Sequence, residues 1–233
     1  AAGRPAAASS PPPPRRRSRP AGMMPQLADA FGMTSMGVAS MVGLFYYGYS
    51  PFSLVAGVAM DQLGPRKVVP VGAALVGAGA LMFATGSTEL ASAGRLLQGA
   101  GGGFALIGAA YIATTNFPAS RAATLIGATQ MFGMAGGSAG QFMVGPAISA
   151  GTPWSSFWTV MGVTGLVISL LLWFLLPERT RSAPSAGWLQ KALLALGTVF
   201  RNPQSILCGF IAGLLFIPTT IFDMVWGVRY LQD

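Results

Sequence analysis

The sequence predicts an all-α protein: a polytopic transmembrane bundle with six spans. Three observations lead there. Of the 233 residues, 52% are hydrophobic and 9% charged, with mean hydropathy +0.58, whereas roughly a quarter of an ordinary soluble domain is charged. Apolar runs of about 20 residues recur, the length that crosses a hydrocarbon core. The cations lie between those runs and in the first residues, so the net charge of +8 points to membrane orientation and not to a phosphate-tracking groove. The lipid bilayer is therefore an expected partner and nucleic acid is not.

Residues 1–24 are rich in Pro, Ala and Arg, contain no acid, and offer too little apolar surface to offset chain entropy. They are expected to be disordered. Three origins remain open: an assembly artefact, a basic tail on anionic headgroups, or a targeting segment, against which the run Pro11 to Pro14 speaks.

The spans are expected at 36–57, 68–86, 91–116, 122–149, 155–176 and 204–227. Thr152-Pro153 and Asn202-Pro203 each join a capping side chain to a proline suited to the first helical position. Pro51, Pro146 and Pro218 fall inside spans, where neighbouring helices can satisfy the freed carbonyls. Residues 177–203 form a cytoplasmic linker, in which Trp188, Leu189, Ala192, Leu193, Leu196, Val199 and Phe200 share a face, so it is either an interfacial helix or a plain connection.

Charge fixes the orientation. With the turn at 61–67 cytoplasmic, that side collects Arg66, Lys67, Arg121, Arg179, Arg181, Lys191 and Arg201, while the gaps at 87–90 and 150–154 hold no Lys or Arg. The expected location is the plasma (cytoplasmic) membrane. The same count puts Arg15, Arg16, Arg17 and Arg19 on the wrong side. A missing first helix would cure this, leaving 25–35 as an outer loop.

The absences exclude several chemistries. Cys208 is the sole cysteine and there is no histidine, so neither an intrachain disulfide nor an ordinary zinc site can form. No phosphate-binding glycine loop ends in Lys-Ser or Lys-Thr, and no nucleophile has a base, so an enzyme, a cofactor and a metal are not expected.

Two stretches carry a specific signal. The first is Gly57-x-x-x-Asp61-x-x-Gly64-x-Arg66-Lys67. Gly57 would let two helices approach, Gly64 would make a tight turn, and Asp61 would sit near a positive helix N-terminus. The second is GRLLQGAGGG, with Arg95, Gln98, Gly99, Gly101 and Gly102 opening the third span. The first resembles the signature loop between helices two and three of the major facilitator superfamily of secondary transporters. The second resembles that family's Arg-x-x-Gln-Gly motif on helix four. Gln62 and Pro65 depart from the loop pattern, each standing where a basic residue is common.

The resemblance implies a partial facilitator fold holding the family's second to seventh helices. On that plan 25–176 is an N-terminal bundle without its first helix, and 204–233 opens the C-terminal bundle. It implies secondary active or facilitative transport of a small polar or anionic solute by alternating access, with an unknown coupling ion. The loop would act as a conformational latch. The rival expectation is a non-transporting membrane fragment or scaffold.

Candidate substrate or coupling residues follow from polar positions on the spans. Tyr46, Tyr49, Ser50, Ser53 and Gly57 share one face of the first span, as a gate contact or a substrate contact. Gln130, Gly137 and Gln141 share a face of the fourth, beside Gly133-x-x-x-Gly137 and Gly136-x-x-x-Gly140, which suit close helix packing. Gly145-Pro146 matches only part of the family's antiporter motif. Arg95 is either a structural or coupling residue or a ligand for an anionic substrate. Asp223 is the one carboxylate near a span, either snorkelling to water or lining the cavity with Thr219 and Thr220.

Overall fold

The computed structural model of the chain describes residues 24–176 and 197–218. The helices named here are α1 (Met24–Phe31), α2 (Ser35–Leu63), α3 (Pro65–Ala84), α4 (Thr88–Asn116), α5 (Ala119–Ser149), α6 (Trp154–Leu175) and α7 (Pro203–Pro218). Among the described residues there is no strand. Each predicted span coincides with a helix, α7 being described as far as Pro218. Three of them, α3, α4 and α6, are both long and apolar enough to cross a membrane. α2 and α5 have the length, at 29 and 31 residues, but glycine, hydroxyl and amide side chains dilute their apolar content.

Local chemistry sets the helix ends. Thr34 caps α2 by accepting the Gly37 amide on Oγ1, and Asn202 Oδ1 accepts the Gln204 amide ahead of α7, where Pro203 is the first residue. Thr152 differs from expectation: Pro153 is the cap residue of α6 and makes no side-chain bond. Thr152 belongs instead to the turn through Gly151 that closes α5, its amide donating back to Ala147 O.

Two loop expectations are corrected. The segment 25–35 is not simply a loop: α1 occupies its first part, because Leu27 and Phe31, one turn apart, bury together against the bundle. It ends at Gly32, φ +61°, with the Met33 amide returning to Ala28 O. The turn expected at 61–67 shrinks to one residue. α2 runs on through Asp61 and Gln62, and Gly64 alone joins α2 to α3.

α4 is central, packed between α2 and α3; α6 lies against α3, and α5 touches α4 at the edge. Lipid is as apolar as leucine, so these helices associate through close packing rather than by expelling water, and small residues permit it. Gly99 lies on the backbone of Phe45 and Tyr49, Gly79 faces Gly94 and Gln98, and Gly77 faces Gly162 and Leu166. Side-chain cores form toward the two ends. One cluster joins Leu27, Phe31, Val38, Met41, Phe83 and Ala91; the other joins Ala56, Met60, Val68 and Phe104.

The tail 1–23, most of the linker that includes Trp188 to Leu196, and Thr219, Thr220 and Asp223 lie outside the described residues.

Candidate functional site

Arg95, the eighth residue of α4, lies two turns into one of the long apolar helices and is half-buried. Its guanidinium donates from Nε and Nη2 to Val42 O on α2, at 3.3 and 3.2 Å, and from Nη1 to Gln98 Oε1 at 2.6 Å. Three rings surround it: the guanidinium carbon lies 5.5 Å from the Phe45 centroid, 5.9 Å from Phe83 and 5.7 Å from Trp158. These come from α2, α3 and α6. The cation thus ties four helices to one point, with ring quadrupoles and carbonyl lone pairs as its counter-charge.

Gln98 is 4% exposed. Arginine only donates, so the amide oxygen must face it, and Gln98 Nε2 is then directed elsewhere. That nitrogen is buried with no hydrogen-bond partner among the described residues. Sequence reasoning selected Arg95 and Gln98 but missed Val42, Phe45, Phe83 and Trp158. Val42 and Phe45, three apart on α2, had a helical spacing that could have been noticed. Nothing in the sequence pairs Phe83 or Trp158 with Arg95.

In the second motif Gly99 accepts the α2 backbone, and a methyl at Gly102 would lie 3.3 Å from the Phe45 ring. In the first, Gly64 adopts φ 81°, ψ 156°, a conformation open essentially to glycine alone, and its amide caps Met60 O. Among the described residues no atom lies within 4 Å of a Cβ built at Gly57, so none of them makes the close helix approach expected there. Asp61 is exposed in the last turn of α2, a helix C-terminus, and not at the start of a helix as expected. Arg66 is half-buried and Lys67 exposed in the first turn of α3.

The tyrosine face of α2 divides. Tyr49 stacks on Phe45 at 5.9 Å, and Ser53 lies beside Gly103, whereas Tyr46 and Ser50 are exposed. On α5, Gln130 is exposed, and Gly133, Gly136, Gly137 and Gly140 have nothing within 4 Å, so no described helix fills that stripe. Pro146 is exposed within α5. The side chain of Gln141 and the surroundings of Gly145 lie outside what is described. Among the described residues no group of His, Cys, Asp or Glu could hold a metal.

Helices long and apolar enough to cross a bilayer, packed around a half-buried arginine, mark an integral membrane protein. The family model of the Major Facilitator Superfamily matches residues 18–231. The chain belongs to that family, as its two motifs imply, and membrane transport is the family's general activity. A comparison with curated proteins finds no match.

Proposed function

We propose that this chain contributes to an alternating-access pathway for a small polar or anionic solute, lined by α2 and α5. The observation that supports it is a contrast between helix surfaces. The large exposed side chains of α6 from Val160 to Leu175 are apolar: Val160, Met161, Val163, Leu166, Val167, Leu170, Leu171, Phe174 and others. Those suit lipid. α2 and α5, beside exposed apolar side chains such as Phe52 and Phe132, also expose Tyr46, Tyr47, Ser50 and Gln130 in mid-helix. Polar groups facing hydrocarbon are costly, so these faces belong toward water or another polar helix.

In this reading Tyr46, Tyr49 and Gln130 meet the solute, while Arg95 organises the bundle, because its donors already engage Val42 O and Gln98. Residues 25–176 act as one bundle, 177–203 connect, and 204–233 begin a second. The Gly64 turn is cytoplasmic in a plasma membrane, as Arg66, Lys67 and Arg121 near the starts of α3 and α5 favour.

The test is solute counterflow in proteoliposomes containing the protein, using labelled monocarboxylates, dicarboxylates, neutral amino acids and hexoses. Exchange of one class, slowed by Gln130→Leu and Tyr46→Leu with insertion unaffected, is the expected result. Flux unchanged by both substitutions would remove the lining assignment. Insertion without flux of any solute would favour a scaffold.

A further inference from the structure

The attachment of α1 centres on Leu27 and Phe31, with Ala28 packed beside them. Leu27 and Phe31 are 4% and 9% exposed, in a cluster with Val38, Met41, Phe83 and Ala91, whereas Asp29 and Ala30 are exposed. Past Phe31 the chain turns through Gly32 at φ +61° in open space, and α2 follows at Ser35. This is the end of the bundle opposite Gly64.

The contact continues inward. The Phe31 ring lies 5.7 Å from Phe83 and 5.4 Å from Trp154, and Phe83 lies 4.5 Å from Trp158. Phe83 and Trp158 are two of the three rings around Arg95. α1 therefore abuts the back of the Arg95 cage.

We propose that α1 is a hinged strap. Seated, it closes the Arg95 cage at the end away from Gly64; lifted about Gly32, it admits water to that end of α4. Glycine suits the hinge because the left-handed backbone there strains most other residues. The cluster it uncovers holds Ala91, one turn before Arg95 on α4 and fully buried.

The test needs no transported solute, so its failure leaves the transport reading standing. In a Cys208→Ser background, Ala91→Cys is reacted with a charged, membrane-impermeant maleimide in membrane fragments open on both sides. Labelling should be slow with Phe31 in place and at least about tenfold faster with Phe31→Ala, as expected when a local opening is favoured. Gly32→Ala, which strains the hinge without entering the ring cluster, should also accelerate it. A control at Ala56→Cys, equally buried in the other cluster, should stay slow. An unchanged rate at Ala91→Cys in both variants overturns the strap. So does a parallel rise at Ala56→Cys, which would mean general loosening.

Discussion

Arg95 and Val42, 53 residues apart, are joined by two donors from one guanidinium to one carbonyl. The Val42 carbonyl already belongs to the α2 helix, so the arginine adds a second use of its lone pairs and fastens α4 to α2 without a carboxylate. Among the described residues none pairs with it. A charged hydrogen bond of this kind contributes about 1.5–3 kcal/mol, and each cation–π contact about 0.5–1 kcal/mol where partly exposed.

Arg95→Met should therefore lower stability by roughly 2–3 kcal/mol, and Arg95→Lys by less, since lysine keeps the charge and loses the fork. Denaturant unfolding in detergent micelles would measure both. Equal loss in the two variants would show that the fork geometry is unimportant.

Gln98 gives a paired prediction. Gln98→Leu leaves the Arg95 Nη1 donor without its acceptor and should cost about 1–3 kcal/mol. Gln98→Glu keeps an oxygen for Nη1 and removes the unpartnered Nε2 donor, so it should be tolerated far better. The comparison is read by the same unfolding assay; a ranking with Leu above Glu would contradict the assigned hydrogen bond.

The glycines divide by their surroundings. Gly99→Ala drives a methyl into the Phe45 carbonyl region and should cost about 1–3 kcal/mol, as overpacking does. Gly133→Ala meets nothing and should be neutral or stabilising by up to about 1 kcal/mol through helix propensity. Thermal shift of the tagged protein in detergent distinguishes them. A large loss at Gly133 would reveal a partner helix on the α5 stripe.

Gly64→Ala forces a side chain into φ 81°, ψ 156° and should cost about 1–3 kcal/mol. Gly57→Ala, in open space within α2, should not destabilise. Comparable losses at both would mean that the loop glycines act by packing after all.

Ser169 Oγ donates to Pro70 O at 2.7 Å, bridging α6 and α3. Ser169→Ala should cost about 0.6 kcal/mol, the average for such interhelical bonds. Double-mutant unfolding cycles with Gly77→Ala would show whether this bond and the neighbouring glycine contact act together.

The helix frame was largely legible because its signals are local. Span ends fall where Gly64 and Asn202 supply a special backbone angle and a cap, as expected, while the Thr34 cap of α2 was not picked out. α1 was missed because eight residues with two buried side chains are too short a pattern to separate from a loop. The loop motif was found while two of its expected roles differ: among the described residues nothing lies against a Cβ at Gly57, and Asp61 ends a helix. Motif spacing does not say where a helix stops.

By itself the sequence determined a membrane-spanning helical chain, the approximate places of α2 to α7 and its two family motifs, since bilayer length, apolarity and glycine backbone angles are properties of consecutive residues. Only the tertiary structure decided what surrounds Arg95, which glycines meet a neighbour, and what α1 covers. The physical reason is that helices in lipid are apolar on most faces, so periodicity marks a face but not its partner. Phe45, Phe83 and Trp158 converge on one guanidinium only once the helices carrying them have been paired and rotated into place.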